Sequence, residues 1–162
     1  MAGLALALVA CGGDAPPPEG AAALKPWLEA KSYAAWDCQP QSHPPLAISP
    51  HAYSRVCVTS QARGRGAAGS PFPKGAAAVK ELLGADGKTP SGYAVTLKIA
   101  DDSADGKGWY YYEEAKTIDP SGPIADGRGD DAKIRETCAN CHSAAGKDES
   151  HPGRDFMYSV VE

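Results

Sequence analysis

Apolar and polar residues alternate most strictly between residues 93 and 100, where Tyr93, Val95, Leu97 and Ile99 interleave with Ala94, Thr96, Lys98 and Ala100. A period of two puts one set on each side of a half-buried strand. The run "WYYYEEA", after the loop "DDSADGKG", is its hairpin partner. That acidic loop reads as a solvated connection, because it lacks the twelve-residue span closed by a glutamate that would favour calcium. Residues 52–59 alternate too, with Ser54, Val56 and Val58 facing one way and Tyr53, Arg55 and Cys57 the other. Another strand follows Gly75 in "PFPKGAAAVKELL", with Lys74 before it and Lys80 inside it.

The period lengthens in two places. Over residues 22–36, Leu24, Leu28 and Trp36 share a helical side with Trp27 beside them, and Pro26 is expected in the first turn. Near the C-terminus, Asp130 or Asp131 can cap a helix that contains Ile134 and "CANCH". The closing "HPGRDFMYSVVE" is a short apolar segment expected to pack back on the domain. The predicted class is α+β, mainly antiparallel β-sheet with flanking helices.

Composition adds turns and removes some partners. Gly 18 and Pro 14 suit short elements, and 162 residues suffice for one compact domain over residues 22–162. The formal net charge of -4, with acids spread through the loops, leaves no basic surface for nucleic acid. The opening "MAGLALALVACGG" resembles the end of a bacterial lipoprotein signal, with Leu8, Val9, Ala10 and Cys11 as its lipobox and the basic n-region expected upstream. Residues 1–11 are thus read as a signal remnant with lipid on Cys11, and 12–21, rich in proline and glycine, as a tether. The apolar run is shorter than the roughly 20 residues of a membrane-spanning helix. Membrane association is therefore expected only through the N-terminal lipid, in the bacterial periplasm or as a secreted protein.

The five cysteines can then be assigned. Cys138 and Cys141 stand in C-x-x-C-H with His142, a spacing that lets two thiols join the vinyl groups of one porphyrin while the histidine lies under its iron. One covalent haem c on a C-terminal CxxCH haem-binding helix is the expected cofactor. A zinc reading would need a fourth ligand from His43, His51 or His151. Cys38 and Cys57 remain, and in an oxidising compartment they are expected to pair; the other reading is two buried thiols acting as small hydrophobes.

What occupies the far face of the iron decides the function. An electron carrier closes both axial positions with strong ligands, whereas an open position admits a small molecule. Met157, the one methionine beyond the signal, follows His142 by only 157 minus 142, or 15, residues, which is short for a chain that must round the porphyrin edge. His43 and His51 adjoin prolines at loop edges. The distal position is therefore expected to be open.

The order of "SPHAYSRVCV", "FPKGAAAVKEL", "SGYAVTLKIADDSADGKGWYYYE", CANCH and "RDFMYS", over about residues 25–159, resembles the mono-haem family that contains cytochrome P-460 and cytochrome c′-beta. The resemblance implies a mainly antiparallel sheet, a homodimer and His142 as proximal ligand. It also implies a division by chemistry. Hydroxylamine-oxidising members join a strand lysine to the porphyrin and use an acidic distal residue for proton transfer. The c′-beta members lack that crosslink and bind nitric oxide or carbon monoxide under an aromatic cap. Lys74 and Lys80 are the candidate lysines here, Phe72 and Lys80 the candidate distal groups, and Arg55, Glu81 and Glu113 the candidate polar groups of the pocket. The aromatic run with Tyr93, Trp109, Tyr110, Tyr111 and Tyr112 leans toward an apolar pocket. The expected function is a periplasmic c-type cytochrome that binds small nitrogen species such as nitric oxide. The alternatives are a hydroxylamine-oxidising cytochrome and a six-coordinate electron-transfer cytochrome, with a periplasmic redox partner as needed.

Overall fold

The alternating runs fold into a six-stranded antiparallel meander in a computed structural model that describes residues 14–51, 53–64, 70–115, 121–159 and 161. Strands β1 (Asp37–Cys38), β2 (Tyr53–Val58), β3 (Ala77–Leu83), β4 (Pro90–Lys98), β5 (Trp109–Ala115) and β6 (Ala125–Arg128) are neighbours in chain order. Helix α1 (Ala21–Glu29) covers one sheet face, and short helical pieces over 132–142 cover the other. The fold is α+β, as expected. Cys11 and the rest of residues 1–11 lie outside the described residues, and no described helix is long and apolar enough to cross a membrane.

Register divides the strands between two faces. Val56, Lys80, Ala94 and Glu113 form one transverse row, and Arg55, Glu81, Tyr93 and Glu114 form the next row on the opposite side. On the α1 face, Leu24 and Leu28 are buried against Val79, Val95 and Tyr112. Each such leucine contributes about 1.5–3 kcal/mol by leaving water.

Helix α1 ends earlier than its apolar stripe predicts, and Pro26 is the sixth of its nine residues instead of a first-turn residue. Lys31 adopts φ 51°, a left-handed conformation that breaks the helix and folds the next residues back. Tyr33 and Trp36 thereby stack beside Trp27, with ring centroids at 5.8 and 5.6 Å. Strands β1 and β6 carry no alternation and were invisible to pattern; both are short edges, where pairing with a neighbour suffices.

The segment expected to be a tether touches the domain within its described part. Pro17 is buried, Glu19 pairs with Arg128 at 2.9 Å, and the Gly20 N–H donates to the Tyr110 hydroxyl at 3.0 Å. At the other end, Met157 and Val161 are buried with Val56, Trp109 and Ile134 on the sheet side away from α1, so the C-terminal segment does pack back.

Cys38 and Cys57 are bridged, directly opposite each other across β1 and β2 with Cα atoms 4.0 Å apart. Closing this loop, 19 residues in sequence separation, removes unfolded-state entropy worth about 3 kcal/mol. Denaturant titration of the protein with Cys38→Ser and Cys57→Ser together is expected to show a loss of about that size, with an unchanged far-UV spectrum.

Candidate haem-binding site

The motif sits on a capped, irregular helix. Asp131 is the cap: its Oδ1 accepts from the N–H groups of Lys133 at 2.9 Å and Ile134 at 3.1 Å. Helical turns α2 (Ala132–Ile134) and α3 (Asn140–His142) are joined by a π-helical turn at Arg135–Ala139. The helix lies close on β6, since a Cβ on Gly127 would come within 2.9 Å of Ile134 Cγ1. That contact holds Cys138 on the buried side and leaves Cys141 exposed.

Between this helix, the sheet and the 44–51 loop lies a cavity of about 270 Å³. Cys138, Cys141 and His142 all line it, together with Lys80, Glu113, His51, Leu46, Ile48 and Tyr158. A chamber of about 170 Å³ adjoins it through Lys80, Leu46 and Tyr158, and contains His43 and Ser54. Toward the sheet a void of about 30 Å³ is lined by the small side chains of Ala78, Ala94 and Thr96 and by the larger Tyr111 and Met157. Leu46 and Ile48 are the exposed large hydrophobic residues among those described, at 40% and 39%. Exposed apolar side chains at the mouth of a cavity are what a planar apolar ligand would cover.

His142 is held in one tautomer. Its Nδ1 stands 2.7 Å from the Phe156 carbonyl oxygen, and because a carbonyl only accepts, Nδ1 carries the proton. Nε2 is left with its lone pair free. The rings of Tyr111 and Tyr158 meet the imidazole edge-on at 5.2 and 5.5 Å. Burial lowers the His142 pKa to about 4, against the pull of the Phe156 carbonyl in the other direction, so the ring is neutral at pH 7. A metal-bound histidine commonly donates its second N–H to a carbonyl in this way. Burial also pushes the Cys138 thiol up to about 12.

The remaining candidates separate by face. Glu113 lies in the cavity wall 3.3 Å from His51 Nδ1, and half-buried Lys80 stands in the same row of the sheet. Burial lowers the Lys80 pKa, with Glu113 opposing the shift. Arg55 and Glu81 are on the α1 side, paired at 3.1 Å, with Glu81 also accepting from the Tyr33 hydroxyl at 2.8 Å. Odd and even positions of a strand cannot share a face, which removes these two from the pocket. Lys74 is exposed in a turn, its N–H 3.3 Å from Asp101 Oδ1. Phe72 is buried edge-on to Trp109 at 6.1 Å and under the Arg154 guanidinium at 3.8 Å; it packs in the core and lines none of the three cavities. Tyr93, Tyr110 and Tyr112 belong to the α1 face, whereas Trp109 and Tyr111 lie on the other, where Tyr111 lines the void beside His142.

Met157 is buried. It follows the Phe156 carbonyl that bonds His142 Nδ1, and its own backbone pairs with Arg154 at 3.0 and 2.8 Å. It also lines the small void toward the sheet, together with His142 and Lys80. Pattern reading passed over Tyr158, Leu46 and Ile48 because a tyrosine in a short tail and apolar residues in a proline-rich loop carry no periodic signal.

The residues fit a haem better than a bare ion. Among the described residues no group of three or more His, Cys, Asp or Glu side chains is gathered to hold a metal. A porphyrin supplies four nitrogen donors itself and asks the protein for one imidazole, two thiols and an apolar slot. His142, Cys138, Cys141 and the wall with Leu46 and Ile48 correspond to that set. No protein-family model, no curated protein and no solved structure matches the chain.

In protein produced without haem, a thiol reagent at pH 8 is expected to modify exposed Cys141 promptly. Buried Cys138 is expected to react only as the chain unfolds, and peptide mapping of the labelled protein before and after denaturant reads the difference.

Proposed function

We propose that the chain is a mono-haem c-type protein, with thioether bonds to Cys138 and Cys141, His142 as the proximal ligand and an open distal position for small nitrogen species such as nitric oxide. The observation that carries this reading is the Nδ1-protonated tautomer of His142, which frees Nε2 beside the two thiols of its motif. The bound haem would supply an iron with one coordination position available to a small molecule. Membership of the cytochrome P-460 and cytochrome c′-beta family is part of the same proposal, as are export, an N-terminal lipid, a homodimer and a periplasmic redox partner.

The chain's own residues divide the work. The Phe156 carbonyl orients the imidazole, and Leu46 and Ile48 exclude water from the slot. A six-coordinate electron carrier would instead take a second strong ligand from buried Met157 or from His51 in the cavity wall.

A second reading, hydroxylamine oxidation with a lysine joined to the porphyrin, is favoured by the polar wall. Lys80 lines all three cavities, and its lowered pKa raises the fraction of free amine. Glu113, hydrogen-bonded to His51 in the cavity wall, would accept protons from a bound nitrogen hydride. Lys80, and not exposed Lys74, is the lysine of this reading.

The deciding experiment is the optical spectrum of holoprotein made with c-type maturation factors, ferric and then dithionite-reduced, with mass analysis of the haem peptides. A high-spin ferric spectrum, carbon monoxide binding and a peptide bearing only Cys138 and Cys141 are expected for the ligand-binding reading. A red-shifted ferrous Soret band with a Lys80 peptide on the porphyrin supports the second. Low-spin spectra in both states would overturn an open distal position, and absence of covalent haem would overturn both. Under the second reading, Glu113→Gln is expected to slow hydroxylamine turnover about 10²-fold at unchanged haem content.

A further inference from the structure

The Phe156 carbonyl that fixes the His142 tautomer is itself fixed by a buried polar knot. Lys98, at the end of β4, is fully buried on the sheet side opposite α1, its Nζ 4.9 Å from the Trp109 ring centroid. It pairs with Asp155 Oδ2 at 2.9 Å. The same carboxylate accepts the Phe72 N–H at 2.6 Å and the Ser103 hydroxyl, which is also bonded to Lys98. Asp155 is thus gripped from β4, from the 99–108 loop and from the chain before β3.

A buried ion pair is a poor way to gain stability, since desolvating two charges offsets most of their attraction. This one does something else. Asp155 and Phe156 adopt φ 44° and 65°, left-handed values that non-glycine residues avoid. Such a conformation persists only where the surroundings over-determine it. The loop leaves no slack on either side: a Cβ on Gly153 would lie 2.0 Å from the Met157 carbonyl oxygen, and one on Gly106 would lie 2.9 Å from the Phe156 ring. The outcome is a carbonyl held at 2.7 Å from His142 Nδ1.

We infer that Lys98, Asp155 and Ser103 are positioning residues for the proximal histidine: they lock the 154–157 loop so that the Phe156 carbonyl keeps His142 in its ligating tautomer and sets its donor strength. This inference rests on the haem reading for its consequence at iron, though the lock on the histidine does not need haem. A firm Nδ1–H···O bond makes imidazole a stronger donor and favours the ferric state. Loosening the knot weakens that donation.

The test compares wild-type holoprotein with Asp155→Asn, with the double variant Lys98→Met and Asp155→Asn, which leaves no unpaired buried charge, and with Lys98→Arg as the conservative partner. The expected result is covalent haem in each, with an upward shift of reduction potential and a lower iron–histidine stretching frequency in the first two, and near-wild-type values in Lys98→Arg. Ser103→Ala removes one donor to Asp155 without stranding a charge, and reads the same shift at smaller size should Asp155→Asn not fold. Folded variants with wild-type potential and stretching frequency would overturn the inference. If wild type carries no covalent haem, the haem reading falls, and nitrogen NMR of the His142 ring in the same proteins decides the lock. Nδ1-protonated imidazole in wild type and a tautomer mixture in the variants supports it; no change overturns it.

Discussion

Side chains of β2 to β5 must leave the sheet on alternate sides, and that constraint decides which strand residues can share the cavity with the C-terminal motif. One side is closed by α1 and the aromatic cluster of Trp27, Tyr33 and Trp36, and there Arg55 and Glu81 are spent on a structural pair. The other side presents Val56, Lys80, Ala94 and Glu113 in one row, with small residues at its centre. A slip of one residue in register would exchange the two sets, delivering Arg55 and Glu81 to the cavity and Lys80 to α1. The disulfide between β1 and β2 opposes such a slip, because it joins directly facing residues.

Once the faces are set, the C-terminal segments close the second one. The helix carrying the motif lies over β6, and the chain after it returns to the sheet through Met157 and Val161. The path between is not governed by apolar packing alone. A fully buried lysine draws Asp155 inward, the backbone at Asp155 and Phe156 is forced into left-handed values, and the Phe156 carbonyl is thereby aimed at the imidazole. Hydrophobic burial is non-directional, whereas aiming one carbonyl at one nitrogen needs directional bonds.

Much of this was legible in the chain. The strict alternation from Tyr93 falls in β4, which ends two residues short of Ala100, and its predicted hairpin partner is β5; the Asp131 cap and the pairing of Cys38 with Cys57 were among the expected features. Helix α1 was read too long, because Trp36 does belong to the apolar cluster but reaches it by a turn at Lys31. Periodicity reports which side a residue faces and not whether the backbone between stays helical. The candidate lysines could not be ranked from spacing, since Lys74 and Lys80 are near neighbours in sequence; exposure in a turn separates one from the other.

The sequence by itself determined the local periods, the two-faced strands and the motif with two cysteines and a histidine, because these depend only on neighbours along the chain. Tertiary structure alone decided which polar residues share the cavity. Glu113 and His51 are 62 positions apart and meet at 3.3 Å, while Lys98 and Asp155, separated by 57, meet at 2.9 Å. It also decided that Phe72 is core, that Met157 is buried next to the carbonyl that holds the imidazole and that Nδ1 is the protonated nitrogen. Each of these is a meeting of distant segments, set by strand register and by the return path of the C-terminal chain, and no local pattern encodes it.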